Sequence, residues 1–169
     1  MAIITVQKLT DLALAQRACS FTNHMKKSKI SLDTLYCSEH SPLRTQLFWV
    51  EMHGIPTFVS VHLVRHTQGV SHFVESNRDD RGGADEVGRL TPVNHAMLCN
   101  AQALINMARK RLCMKAHDKT QEVFNQIKNA VEIVDRDLSN YMVPECVYRN
   151  GFCPEIKSCD RRKTMDYTT

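Results

Sequence analysis

Hydrophobic residues recur at helical spacing through the second half of the chain, and this periodicity constrains the fold more than any other feature of the sequence. After Pro92 the pattern predicts a helix whose apolar face carries Val93, Met97, Ala101, Leu104 and Ala108. A second helix is predicted from apolar residues three and four positions apart, namely Val123, Phe124, Ile127, Val131, Val134 and Leu138. We expect these two long helices to form an antiparallel pair.

The first half of the chain alternates between strand-like and helix-like segments. Residues 3–8 are rich in β-branched side chains, and the pair Thr10-Asp11 can cap a helix that follows them. Residues 44–52 are predicted to form a strand with both faces partly buried. The remaining predictions are a short helix from Ser31, the end of the second strand at Gly54, a largely apolar helix with Pro56 at its first position, and an extended stretch over 70–76.

Length and composition describe a single compact domain. The chain has 169 residues, of which 43% are hydrophobic and 24% are charged, and this excludes collagen-like and wholly disordered chains. We predict one domain over residues 1–144. Residues 145–169 are predicted to form an irregular extension that contains cysteines, because this tail has no hydrophobic period.

Charge and cysteine content exclude several classes of partner. The net charge of +4 is too small to imply nucleic acid but suits small anionic ligands. No apolar run approaches the ~18 residues that a membrane helix needs, and the first residues lack the features of a secretory signal, so we expect a cytoplasmic protein with no membrane partner.

The seven cysteines are odd in number and scattered, which predicts free thiols. Their spacing lacks the ligand pattern of a zinc site, so we expect no metal.

The end of the apolar helix that follows Pro56 carries a polar stripe. His62, Arg65 and His66 stand at i, i+3 and i+4 and therefore share one helix face. Arg65 and His66 could build a phosphate pocket with the residues that follow them, namely Ser71, Ser76 and Arg78, because guanidinium and hydroxyl donors match phosphate oxygens. Alternatively, Arg65 and His66 only cap the last carbonyl groups of their helix.

A second polar group lies on the first predicted long helix and consists of Asn100, Asn106 and Arg111. On a continuous helix Asn100 and Arg111 are nearly in line, whereas Asn106 points ~120° away, so the three cannot all face one pocket of a single subunit. They could serve an oligomer. The alternative is a solvated helix face on which Arg109, Lys110 and Arg111 are surface charges.

Motifs of other enzyme classes are absent from the sequence. We find no phosphate-binding Walker loop, dinucleotide fingerprint, Gly-x-Ser-x-Gly elbow or His-Glu-x-x-His zinc motif. A cysteine and histidine nucleophile pair is left open, but no pair stands out. The isolated histidines are interpreted as structural, namely His24, His53, His72, His95 and His117.

Several blocks of the sequence resemble flavin-dependent thymidylate synthases. The segment from His53 through Arg65-His66, followed by Ser76-x-Arg78, is similar to the signature Arg-His-Arg, Ser, Asn-Glu, Ser-x-Arg-Tyr of that family. The helix segment Asn100-Ala-Gln-Ala-Leu-Ile-Asn106-Met-Ala-Arg-Lys-Arg111 resembles the family's Asn-Ala-Arg…Asn…Leu-Arg helix. Upstream, Ala15-Gln-Arg-Ala-Cys and Glu39-His-Ser-Pro-Leu look like the family's first helix and the turn before its substrate strand. The resemblance extends over nearly the whole chain.

This resemblance implies an α+β fold with a small, mainly antiparallel sheet and long helices, assembled as a homotetramer. It also implies FAD as cofactor, dUMP as substrate, and methylenetetrahydrofolate and NADPH as co-substrates for the reductive methylation of dUMP to dTMP. The cofactor carries the redox chemistry in such enzymes, and the protein supplies orientation and electrostatics.

Residue roles follow from the resemblance by position. FAD contacts are expected from Arg65, His66, Asn100 and Asn106. Contacts to dUMP are expected from His62, Ser76, Arg78 and Arg111, with Arg89 as a further candidate. Ser76 and Arg111 are assigned to catalysis. Binding between subunits would explain why Asn106 and Arg111 lie on different helix faces.

Departures from the family pattern keep other functions open. Thr67 stands where the family has its second signature arginine, Phe73-Val74 replaces Asn-Glu, and Asp79 replaces tyrosine. Further departures are Arg44-Thr45 in place of Glu-His, Gln102 in place of arginine, and a short segment between Arg78 and Pro92. Two alternatives follow: a pyrimidine-nucleotide hydroxymethylase on the same scaffold, and a non-catalytic paralogue that binds a nucleotide.

Overall fold

An antiparallel four-stranded sheet forms the centre of the protein. The computed structural model describes residues 2–83 and 88–159. Within them the strands are β1 (Ile3–Lys8), β2 (Leu47–Pro56), β3 (Val70–Val74) and β4 (Pro92–Asn100), arranged in the order β1-β2-β4-β3. The strand predicted over 3–8 is therefore confirmed, and the extended stretch predicted from residue 70 forms β3.

Helices connect the strands and follow the last of them. They are α1 (Leu12–Thr22), α2 (Leu32–Ser38), α3 (Thr57–Val64), α4 (Ala101–Arg111), α5 (Asp118–Val134), α6 (Arg136–Tyr141) and α7 (Glu145–Tyr148), with short 3₁₀ helices at Ser41–Thr45 and Asp79–Arg81. The side chain of Asp11 accepts a hydrogen bond from the Leu14 N–H and that of Ser31 accepts one from the Thr34 N–H. Both residues are N-caps, as their side chains favour.

The core lies on one face of the sheet. Alternate residues of β2, namely Phe48, Val50 and Met52, are buried there against helices, and α5 packs against β1. On the opposite face, Trp49 and Phe73 lie with their ring centroids 5.5 Å apart, and Phe73 is exposed. This division between faces is what a strand period of two produces.

The prediction of a helix starting after Pro92 was wrong, because residues 92–100 form β4. Val93 and Met97 are four residues apart, and a spacing of four satisfies both a helix and a strand. In the sheet Val93, His95, Met97 and Cys99 are buried in strict alternation. Pairing with β2 on one side and β3 on the other therefore decided between two local patterns that the spacing alone left equivalent.

Other boundaries also differ from the predictions. The strand does not end at Gly54; an irregularity between Met52 and Ile55, with φ of +72° at Gly54, lets β2 continue to Pro56. Pro56 consequently precedes α3 instead of occupying its first position. Residues 41–45 form a 3₁₀ helix, so the second strand starts at Leu47.

The second long helix is divided at Asp135. α5 ends at Val134, and the side chain of Asp135 accepts a hydrogen bond from the Leu138 N–H, which caps α6. The same carboxylate lies 2.6 Å from the Lys8 ammonium group and accepts a 2.6 Å hydrogen bond from the Tyr36 hydroxyl. Asp135 thereby joins β1, α2 and the α5–α6 junction through one buried group.

The extension predicted from residue 145 begins as the short helix α7, which packs against α4. Residues 160–169 of that extension lie outside the described residues. The domain boundary at residue 144 stays a prediction.

Candidate functional site

The C-terminal end of α3 meets the C-terminal end of α4, and this junction gathers most of the polar residues that the sequence singled out. Arg111, the last residue of α4, donates from Nε to His66 Nε2 at 2.9 Å and from its NH2 group to the His62 carbonyl oxygen at 2.7 Å. The carbonyl group of His62 is therefore capped by an arginine from another helix. The alternative prediction, in which Arg65 or His66 caps its own helix, does not hold at the His62 carbonyl group.

The histidines of this junction are uncharged at neutral pH. Burial, and then the positive charge of Arg111, lowers the pKa of His66 to about 4. Burial lowers the pKa of Arg111 itself, and the charge of Arg65 adds to that effect. Because Nε2 of neutral His66 accepts from Arg111, its proton resides on Nδ1, and the ring offers an Nδ1–H donor to a ligand.

His62 lies among several cationic side chains. Burial lowers its pKa, and Arg111, Arg65, His117 and Arg89 lower it further in that order. Its Nδ1 atom is 2.9 Å from the hydroxyl of Thr120, which is fully buried at the start of α5. Because His62 is uncharged, the positive charge around it comes from the arginines, and this charge can attract an anion.

Aromatic contacts complete the surroundings of His62. The Phe58 ring makes an edge contact with His62 at 5.6 Å between centroids, and the His117 ring lies 4.6 Å from that of Phe58. The Arg89 guanidinium group stacks over Phe58 at 4.8 Å. Sequence reasoning missed Thr120 and His117, because they come from another part of the chain, and it also missed Phe58, although Phe58 precedes His62 by four residues on α3.

Asn100 and Asn106 line the same cavity. This cavity has a volume of about 360 Å³ and is lined by Arg44, Gln68, Gly69, Asn100, Gln102 and Asn106. A neighbouring groove of about 250 Å³ is lined by Arg65, His66, Thr67, Gln68, Ala103 and Asn106. Because Gln68 and Asn106 line both, the two spaces adjoin, and the structure brings together the four residues expected to contact FAD.

The predicted alignment of Asn100 with Arg111 was wrong, because Asn100 is not a helical residue. Its backbone is extended, and its Oδ1 atom accepts a 2.9 Å hydrogen bond from the Ala103 N–H as the N-cap of α4. The cap uses the side-chain oxygen, which leaves the Nδ2 amide group to a ligand. Arg111 faces α3 instead of the cavity that Asn100 lines.

Gly69 allows the side chain of Asn100 to occupy this position. Its φ of +73° is a conformation that L residues rarely adopt, and a Cβ atom built there would lie 2.5 Å from Asn100 Nδ2. The Gly69 carbonyl oxygen also accepts a 2.9 Å hydrogen bond from the Asn100 N–H. Gly69 is therefore part of the wall that shapes the cavity.

We predict that Gly69→Ala destabilises the protein by about 2–3 kcal/mol, since it combines backbone strain with displacement of a helix cap. Gly54→Ala is the matched control, because Gly54 has a similar φ of +72° but no atom within 4 Å of an added Cβ. Urea denaturation of both variants measures the difference. Equal destabilisation by the two substitutions would contradict a specific contact between Gly69 and Asn100.

Arg109 is not the solvated surface charge that the alternative interpretation of α4 required. Its side chain is 13% exposed and is paired with Glu39, which also accepts a 2.6 Å hydrogen bond from Gln102. The guanidinium group stacks on Tyr148 of α7 at 3.6 Å from the ring centroid. Of the predicted surface charges on this helix, only Lys110 is exposed. Glu39, which is paired with Arg109, thus holds Gln102 at the wall of the cavity that Asn106 also lines.

Ser76 and Arg78 do not line either cavity. Arg78 is exposed and donates two hydrogen bonds to Asp80, at 2.8 Å and 2.6 Å. The Ser76 hydroxyl accepts a 3.4 Å hydrogen bond from the Arg78 N–H. Their assignment to dUMP binding, and that of Ser76 to catalysis, stays a prediction.

The cysteines are free thiols, as predicted. Burial raises the pKa of Cys99 to about 12, which makes its thiol a poor nucleophile. In residues 2–83 and 88–159, no three His, Cys, Asp or Glu side chains are placed to hold a metal ion. Over the same ranges, the helices are too short or too polar to cross a membrane.

Comparison with known proteins gives structural matches but no sequence matches. No protein-family model matches the chain, and no curated protein sequence matches it. Among solved structures, thymidylate synthase X (ThyX) from Helicobacter pylori, crystallised with FAD and dUMP, superposes with a TM-score of 0.63 at 15% identity, over 86% of this chain and 99% of the other. A second structure of the flavin-dependent enzyme from that organism, with the same ligands, gives a TM-score of 0.66 at 15% identity, over 83% and 99%.

A UMP/dUMP methylase, PolB from Streptomyces cacaoi bound with 5-Br dUMP, is also similar. Its TM-score is 0.60 at 17% identity, over 82% of this chain and 94% of the other. At these identities the similarity establishes the fold. The predicted α+β fold with a small antiparallel sheet is confirmed as that of flavin-dependent thymidylate synthases. Assembly as a homotetramer stays a prediction.

Proposed function

We propose that this chain, which folds as flavin-dependent thymidylate synthases do, catalyses the reductive methylation of dUMP to dTMP with FAD, methylenetetrahydrofolate and NADPH. The observation that carries the proposal is the junction of α3 and α4. Beside it Arg65, His66, Asn100 and Asn106 line two adjoining spaces, and Arg111 donates a hydrogen bond to Nε2 of His66. The structurally similar enzymes were crystallised with FAD and dUMP.

The residues around the two adjoining spaces fit a flavin dinucleotide. His66 offers an Nδ1–H donor and Asn100 an amide group that its capping bond leaves available, and both suit the carbonyl oxygens of a flavin ring. Arg65 supplies positive charge for a diphosphate. When bound, the flavin would supply the electron transfer that a reductive methylation requires.

The surroundings of His62 fit the phosphate of a pyrimidine nucleotide. Arg65, Arg89 and Arg111 act electrostatically on His62, and because His62 is neutral, these arginines supply the positive charge for the phosphate. Arg111 already bonds to His66 and the His62 carbonyl oxygen, and its NH1 group remains for the substrate. Its planar guanidinium group would hold the nucleotide in one orientation relative to the flavin.

Homotetramer formation belongs to this proposal. Arg78 and Ser76 lie outside the spaces lined by Arg65 and Asn106 within one chain. A site built between subunits would let them reach dUMP from a neighbouring copy. Arg78 would then exchange its pairing with Asp80 for the nucleotide.

Purification of the protein with FAD tests the proposal. We expect bound flavin with its absorbance bands, saturable dUMP binding by calorimetry, and dTMP when all co-substrates are present. Product mass separates this reaction from the alternative hydroxymethylation, which retains an additional oxygen atom. A protein that binds no FAD, even with excess flavin and dUMP, would refute the flavoenzyme function.

A nucleotide-binding protein without turnover is the second candidate. It is favoured by Thr67 at a position where the family has arginine and by the pairing of Arg78 with Asp80, since both reduce the positive charge offered to ligands. Binding of dUMP without formation of any methylated product would support it. The same preparation therefore decides between the two functions.

A further inference from the structure

A chain of hydrogen bonds runs through the core beneath the candidate site. Ser60 Oγ of α3 lies 3.0 Å from His95 Nδ1 of β4, and His95 Nε2 lies 3.0 Å from His72 Nδ1 of β3. His72 Nε2 lies 2.7 Å from the carbonyl oxygen of His66. Ser60 and His95 are 3% and 2% exposed, so this part of the hydrogen-bond chain is shielded from water, whereas His72 is partly exposed. The chain leaves α3 at Ser60 and returns just beyond its end at His66.

The proton positions along this chain follow from its last member. A carbonyl oxygen only accepts, so His72 Nε2 carries a proton. When His72 is neutral its Nδ1 atom must accept, so His95 donates from Nε2. His95 Nδ1 must then accept from the Ser60 hydroxyl. Burial, and then the proximity of His72, lowers the pKa of His95 to about 4, so its ring is neutral as this order requires.

The chain and Arg111 hold His66 from two directions. His72 binds the His66 backbone, and Arg111 binds its ring at Nε2. Neither bond uses His66 Nδ1. Fixing the backbone at the end of α3 keeps the ring within reach of Arg111, and the acceptor role of Nε2 keeps the proton on Nδ1.

We propose that His72 and His95 are positioning residues, which through the directed chain from Ser60 to the His66 carbonyl hold the His66 ring as an Nδ1–H donor to an acceptor oxygen of the bound cofactor. The interpretation of His72 and His95 as merely structural histidines is thereby replaced by a specific role. The identity of the acceptor as a flavin rests on the proposed function. The positions of the protons along the hydrogen-bond chain do not depend on that function.

Histidine tautomers measured by two-bond ¹H–¹⁵N NMR at pH 8 test the arrangement without any ligand. At this pH a histidine with an ordinary pKa near 6.5 is neutral. We expect His72 and His95 to be protonated on Nε2 and His66 on Nδ1, with signals assigned by single substitutions. Protonation of His66 on Nε2, or of His72 on Nδ1, would overturn the proposal.

Variants of His72 test the positioning role. Phenylalanine removes both hydrogen bonds, whereas glutamine retains one acceptor and one donor on a single amide group. We expect His72→Phe to lose the single Nδ1–H state of His66 and to weaken FAD binding about fivefold or more, and His72→Gln to restore both. His53→Phe is the matched control, because His53 is exposed and takes no part in the hydrogen-bond chain. It should change neither the Nδ1–H state of His66 nor the affinity for FAD.

The possible results separate this proposal from the proposed function. If the wild-type protein binds no FAD, the tautomers of His66 in the wild type and in His72→Gln still decide the positioning role. If FAD binds equally to the wild type and to a folded His72→Phe, the positioning role is refuted and the flavoprotein function stands. If His72→Phe does not fold, a His72→Gln variant without the Nδ1–H state of His66 would refute the proposal.

Discussion

Replacement of Asp135 by alanine is expected to lower the free energy of unfolding by about 3 kcal/mol, the low end of the range for breaking a buried ion pair. The carboxylate binds the Lys8 ammonium group, the Tyr36 hydroxyl and the Leu138 N–H, and its side chain is only 1% exposed. Alanine would leave an ammonium group and a hydroxyl without their partner. The partial exposure of Lys8 gives its charge some access to water and limits the loss.

Chemical denaturation of Asp135→Ala and Asp80→Ala measures this effect. Asp80 likewise belongs to an ion pair, with Arg78, but both side chains are more than half exposed. Loss of the Asp80 carboxylate should therefore lower the free energy of unfolding by only about 0–1 kcal/mol. Burial and the hydrogen bond to Asp135 raise the pKa of Tyr36, so its hydroxyl remains a donor throughout the usual pH range. Equal effects of the two substitutions would show that Asp135 does not organise the junction of β1, α2 and α6.

Replacement of Arg111 by alanine is expected to reduce dUMP affinity by about a hundredfold. Charge-assisted hydrogen bonds contribute about 1.5–3 kcal/mol each, and a factor of ten in affinity corresponds to about 1.4 kcal/mol. The substitution would remove the proposed contact to the nucleotide and would also release the His66 ring and the His62 carbonyl group. Calorimetric titration with dUMP in the presence of FAD measures the loss.

Two further variants distinguish a site residue from a charge effect. Lys110→Ala removes an exposed cation from the neighbouring position of α4 and should leave dUMP affinity unchanged. Arg111→Lys keeps the charge but cannot reproduce the two divergent hydrogen bonds of the guanidinium group, so most of the loss should persist. Unchanged affinity in Arg111→Ala would refute the assignment of Arg111 to the substrate.

Local patterns predicted the elements that carry the candidate site, apart from β4. The stripe of His62, Arg65 and His66 was predicted from helical spacing, but α3 ends at Val64, so only His62 lies in the helix, Arg65 is its C-cap and His66 follows it. The same type of reasoning failed at Val93 and Met97, because a four-residue interval fits both regular structures. Only hydrogen bonding to β2 and β3 selects the strand.

By itself, the sequence determined which side chains share a helix face and where helices can be capped, because both depend on residues a few positions apart. It could not determine that Arg111 binds His66, that Thr120 binds His62, or that His72 and His95 lie beneath the end of α3. These pairs are separated by 23 to 58 residues. Their contacts exist because the order β1-β2-β4-β3 places β3 and β4 side by side, because α5 packs against α3, and because Arg111 at the end of α4 reaches the end of α3.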